Sequence, residues 1–198
     1  MIKRFILVPL FLLSQLLAED NVTAFTQSNY YLGFGWKTFQ LGSVYNETAV
    51  VNGDGILLIL GKYYPKYDLK IEVSASALGY LEYKLADGSG YNNDIQERDY
   101  GINIAYGGGH RNDILYMFPH FIVGAGAKVI TDELAGTFTL PMLQAGVGLS
   151  VRHEKIEFFV KYYYDVLFNT QTFTTTNGDT IDMNTVNGSL EVGLNYLF

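Results

Sequence analysis

Residues 155–166 read KIEFFVKYYYDV, an order that suits a strand and no helix. Side chains of an extended chain point alternately to opposite faces, whereas a helix repeats every 3.6 residues. At period two, Ile156, Phe158, Val160, Tyr162, Tyr164 and Val166 share one face, and Glu157, Phe159, Lys161, Tyr163 and Asp165 the other. The same alternation returns in YYLGFGWKTF (30–39), LKIEVSASALGYLEYK (69–84), GINIAYG (101–107), HFIVGAGAKV (120–129) and MLQAGVGLSV (142–151). ILLILGKYY (56–64) is strand-like with ambiguous faces, and SLEVGLNYLF (189–198) carries the pattern to the final residue. These segments predict about eight strands.

Composition agrees. Of 198 residues, 48% are hydrophobic, 15% aromatic and only 17% charged, with 21 Gly and 16 Tyr. Tyr and Phe favour strands. The absence of cysteine excludes disulfides and thiolate metal sites.

At the amino end, Lys3 and Arg4 precede an apolar run from Phe5 to Leu17 that closes on Ala18 before Glu19-Asp20. This is the layout of an export signal. The run is too short to span a bilayer and contains Pro9. Residues 1–18 are therefore expected to be a cleavable signal peptide, and residues 19–198 one barrel domain. Cleavage shifts the formal charge from 13 − 20 = −7 to 11 − 20 = −9. An acidic chain of that kind disfavours nucleic acid, whose binding needs basic patches.

An exported, aromatic-rich β protein can be a soluble periplasmic barrel or a transmembrane one. Alternation alone leaves the faces unassigned. Three features assign the apolar face to lipid. Glycines share the charged face (Gly33, Gly35, Gly101, Gly124, Gly126, Gly146, Gly148, Gly193), as a crowded eight-strand lumen requires. Tyrosines gather toward strand ends (Tyr30, Tyr63, Tyr64, Tyr83, Tyr100, Tyr162, Tyr164, Tyr196), as in an interfacial girdle. The last strand can close on the first and leave no edge. Connections alternate between short turns at PKYD (65–68), GHRND (109–113) and RHEK (152–155) and longer polar stretches near 43–54, 86–99 and 168–187, with a modest one at 131–137.

On these residues the chain resembles the small bacterial outer-membrane β-barrels of the OmpA, OmpX and opacity type. The resemblance implies an eight-stranded antiparallel up-and-down transmembrane barrel with both termini facing the periplasm. It also implies that Val192, Leu194, Tyr196 and Phe198, apolar at alternate positions up to an aromatic end, form the signal read by the barrel-assembly machinery. Lipid and lipopolysaccharide of the outer membrane are the surroundings it implies.

The candidate site is the lumen. Lys37, Lys70, Glu72, Glu82, Lys84, Lys128, Glu157, Lys161, Asp165 and Glu191 all fall on the face predicted to point inward. Charges there must pair or hydrate, whereas Lys on the lipid face near the midplane costs about 2–4 kcal/mol. The expected arrangement is a salt-bridged plug, with a narrow ion path as the rival.

His110, His120 and His153 show no metal-ligand spacing and are expected at the rim. GAGAK (124–128) lacks full phosphate-loop spacing, and GDG (53–55) and NGD (177–179) read as loop tips able at most to hold calcium weakly. EDNVT (19–23) matches an acidic N-glycosylation sequon at Asn21. The expectation is therefore no catalysis and no cofactor, with a structural or surface-interaction role at the loops through a partner the sequence does not name. A small porin-like channel and a lipid A-modifying enzyme are the rival functions.

Overall fold

The structure, a computed structural model, describes residues 29–44, 50–84, 90–93, 96–111, 115–132, 136–174 and 180–198. The proposed signal peptide, its cleavage site, Asn21 and the NGD stretch lie outside the described residues. Eight long strands form the molecule: β1 (Asn29–Val44), β2 (Val50–Tyr64), β3 (Leu69–Lys84), β4 (Gln96–Gly107), β5 (Tyr116–Asp132), β6 (Gly136–His153), β7 (Ile156–Leu167) and β8 (Val186–Leu197). Each pairs antiparallel with its sequence neighbour, and β1 pairs with both β2 and β8, so the sheet closes. Shorter pairing segments extend it: Gly90–Asn93 on β3, His110–Arg111 on β5, and Thr172–Thr174 with Thr180–Met183 beside β1.

One rim carries tight turns. Pro65–Tyr67 forms a single 3-10 turn after β2, and Asp68 (φ 46°) and Glu154 (φ 52°) take the left-handed conformation needed to reverse the chain. The same rim also joins β4 to β5 across residues 108–115, longer than GHRND predicts. On the opposite rim the connections after β3 and β7 are the long ones, whereas β1 meets β2 across 45–49 and β5 meets β6 across 133–135. Two expected loops are shorter than their polarity suggests. Residues 50–54 already belong to β2, with a register shift between Asn52 and Asp54, so GDG is strand rather than loop tip. Residues 96–99 open β4. Polarity misleads there because these strand ends carry polar side chains on both faces: Asp54, Gln96 and Arg98 point outward, Glu97 and Asp99 inward.

Register fixes the barrel's shape. The paired row from Pro119 runs through Leu149, Val160, Val192, Trp36, Ile56, Ala77 and Arg98, and returns to β5 at Val129, ten residues further along. That stagger on eight strands implies a tilt of about 40°. It leaves a lumen wide enough for side chains and little more.

The two faces have opposite chemistry. Phe121 is 72% exposed and Phe34 60% exposed on the outside, alongside Leu32, Val73, Ile102 and Val123. Inside, Lys128 is 0% and Arg152 1% exposed. The ambiguous β2 resolves with Leu57, Ile59 and Tyr63 inward and Ile56, Leu58 and Leu60 outward. A soluble protein does not expose a continuous apolar belt of this extent. A hydrocarbon solvent requires one, together with a closed sheet that leaves no unpaired backbone.

Candidate functional site

The lumen is filled in two ionic tiers above an aromatic floor. The lower tier lies between β3 and β7, which are opposite each other in the ring. Period two places Lys70 and Glu72 inward on β3 and Glu157 and Lys161 inward on β7. Lys70 donates to Glu157 at 2.6 Å and to Ser150 at 3.0 Å. Lys161 bridges back to Glu72, which also accepts from the Tyr31 hydroxyl at 2.7 Å. Asn195 donates to Glu157 at 2.9 Å. Aromatic faces shield the cations: Lys70 lies 5.0 Å from the Phe118 ring centre and Lys161 4.8 Å from that of Phe159.

The upper tier lies toward the long-loop rim. Lys37 on β1 donates to Asp99 on β4 at 2.7 Å and sits 3.8 Å from Glu191 on neighbouring β8. Lys128 bridges Glu97 and lies 3.0 Å from Asp99. Asp165 accepts from Gln144 at 2.8 Å and from Ser189 at 3.1 Å. Each of these charges is buried, and each lies within reach of a partner, as a low-dielectric interior demands.

The floor closes the short-turn mouth. The Tyr63 and Tyr116 hydroxyls hydrogen-bond each other, and their oxygens lie 3.4 and 3.2 Å from Asp68 Oδ1. With one proton each, one hydroxyl donates to the other and the second donates to the carboxylate. The Arg152 guanidinium lies 5.1 and 5.0 Å from their ring centres. Phe118 stacks between this group and His120, whose Nδ1–H donates to the Phe118 carbonyl at 2.8 Å.

Of the charges expected in the lumen, Lys37, Lys70, Glu72, Lys128, Glu157, Lys161, Asp165 and Glu191 point inward and meet in these tiers. Glu82 and Lys84 fall where side chains lie outside the described residues. Several network members escape a reading of the sequence. Glu97 and Asp99 read as loop residues and Arg152 as part of a turn, but period two continues through all three. His120, expected at the rim, lies 4% exposed inside the barrel, two residues beyond Phe118 on the same face. Tyr63, expected in the outer girdle, instead points inward. The outward tyrosines Tyr30, Tyr106 and Tyr196 do ring the short-turn end, and Lys62 lies over the Tyr30 ring at 4.6 Å.

A closed antiparallel barrel, apolar outside and ionic within, defines the class: a transmembrane β-barrel. Among solved structures, one superposes with a score that shows a common fold and two others give lower scores. Neisserial surface protein A superposes with a TM-score of 0.54 at 13% identity, covering 87% of this chain and 99% of that one. The attachment invasion locus protein Ail of Yersinia pestis gives 0.47 at 15% identity over 87% and 99%. A major outer membrane protein of Thermus thermophilus gives 0.48 at 12% identity over 84% and 99%. The sequence matches no protein-family model and no curated protein. The chain thus has the fold of the small eight-stranded outer-membrane β-barrels.

Proposed function

We propose that the protein is an integral outer-membrane barrel of a Gram-negative bacterium, acting structurally or in surface interaction through its long-loop rim, without catalysis. The observation that supports this reading is the reciprocal pairing of β3 with β7. Lys70–Glu157 and Lys161–Glu72 cross the lumen, so the barrel's interior is a packed network and the rim is the surface left for partners. The short-turn rim, where both described termini lie, then faces the periplasm. An epitope inserted between residues 174 and 180 tests the orientation and role together. Labelling of intact cells is expected; labelling only after the outer membrane is permeabilised overturns the reading. Heat-modifiable gel migration and extraction only by detergent test the class, and a mature chain fully soluble in buffer refutes it.

A small channel is the second reading, favoured by the buried charges stacked in two tiers along the lumen. It requires ionic current in planar bilayers that changes in Lys161→Ala or Glu157→Gln, and a silent bilayer removes it. A lipid A-modifying activity draws no support from His120, which faces the lumen rather than the lipid.

A further inference from the structure

A cation on the outer face, Arg98, stands outside the lumen network. Arg98 is exposed on the outside of β4, paired across the sheet with Ala77 of β3 and Val129 of β5. Among the described residues nothing hydrogen-bonds or ion-pairs with its guanidinium. Asp54, outward on β2, stands beyond β3 opposite Gly79 and forms no ion pair with it. Lys62, the outward cation near the short-turn rim, contrasts sharply: it donates to the Tyr30 hydroxyl at 3.3 Å and lies over the Tyr30 and Tyr64 rings.

The height of Arg98 is informative. It stands eight residues along β4 from Tyr106 of the short-turn girdle. At about 3.3 Å per residue and about 40° tilt, that is roughly 20 Å along the barrel axis. An apolar band is about 25 Å tall, so Arg98 sits at its upper edge, with exposed Gln96 above and Tyr100 below. An arginine there meets headgroups, not hydrocarbon. Its cross-strand neighbours Ala77 and Val129 carry no polar group to compete for its planar fork, which matches phosphate oxygens two at a time.

We propose that Arg98 anchors the phosphate of a phosphorylated glycolipid, of lipid A type, in the leaflet on the long-loop side. The inference rests on the outer-membrane reading above. Its test uses the full mature chain refolded in vesicles, with lipid A and enzymatically dephosphorylated lipid A as probes, scored by retention in native mass spectrometry. Flotation with vesicles and heat-modifiable migration check insertion first; a chain that does not insert refutes both the membrane reading and this site.

For inserted protein, Arg98→Gln is expected to weaken retention of lipid A about tenfold or more, the range of a lost charge-assisted phosphate contact. Lys62→Gln and Asp54→Asn are expected not to weaken it. Dephosphorylated lipid A is expected to bind wild type and Arg98→Gln alike. Equal retention of phosphorylated lipid A by wild type and Arg98→Gln, in a properly inserted barrel, overturns the site while leaving the membrane reading intact.

Discussion

Lys70 and Glu157 stand on strands at opposite sides of an eight-strand ring, yet their charged ends lie 2.6 Å apart. Two residues along β3 and four along β7, the polarity is exchanged and Lys161 reaches back to Glu72. The crossed arrangement ties opposite walls together and places both lysines near Glu72. Removing one member of such a buried pair leaves a stranded charge, at a cost of about 3–5 kcal/mol. Replacing both by apolar groups of similar volume removes that penalty.

Lys70→Met is therefore expected to lower the unfolding free energy of the refolded barrel by about 3–5 kcal/mol, and Lys70→Met/Glu157→Leu to recover most of the loss. Urea unfolding in micelles, read by Trp36 fluorescence, measures both. Equal losses in the single and paired variants contradict the coupling.

The seam between first and last strands has its own constraint. Gly35 and Gly193 face each other across β1 and β8. A Cβ on Gly193 would run into the Phe34 carbonyl oxygen and the Gly35 backbone, while one on Gly108 meets nothing. Gly193→Val is expected to reduce refolding yield and cost about 1–3 kcal/mol. Gly108→Ala is expected to remain within about 0.5 kcal/mol of the parent. Semi-native gel migration and urea midpoints report both, and a harmless Gly193→Val sinks the argument.

Much of this barrel is legible in the sequence because period two is a local signal. KIEFFVKYYYDV sorts its own faces, and glycine on the charged side supplies the inversion of inside and outside. The misplacements share one physical cause. Glu97, Asp99 and Arg152 look like loop residues because a strand's lumen-facing ends and a polar loop have the same composition. His120 and Tyr63 look like rim residues because each is amphipathic, and only the closure of the ring shows that a neighbour's aromatic face awaits them inside. Which carboxylate each lysine finds is not readable at all, since Lys70 and Glu157 are 87 residues apart and meet only through shear and strand number.

At the short-turn mouth two effects oppose each other at Asp68. Its φ of 46° favours glycine, and relief of that conformation is worth about 0.4–1 kcal/mol. Its carboxylate accepts the one hydroxyl proton that the Tyr63–Tyr116 pair leaves for it, a bond to a charged group worth about 1.5–3 kcal/mol. That bond outweighs the turn. Asp68→Gly is expected to destabilise the barrel by about 1 kcal/mol, and Asp68→Asn, which tolerates the same backbone and keeps a neutral oxygen acceptor, by less. Chemical unfolding of the two variants decides the balance; a stabilised Asp68→Gly reverses it.

Phe198 separates folding from delivery. It is 65% exposed just beyond β8, and its tie to the barrel is the backbone N–H donated to the Tyr30 carbonyl at 3.0 Å. Val192, Leu194 and Tyr196 precede it at alternate positions along the outside of the same strand. The side chain therefore contributes little to the finished structure, and Phe198→Ser is expected to change the stability of barrel refolded in micelles by no more than about 0.5 kcal/mol. If the alternating aromatic end is the signal for assembly, the same variant should accumulate several-fold less heat-modifiable barrel in the outer membrane of growing cells. Quantitative immunoblots of membrane fractions beside urea curves of refolded protein read the two effects separately. Undiminished assembly in cells removes the signal role from Phe198, and a large loss of stability in micelles would make its role structural instead.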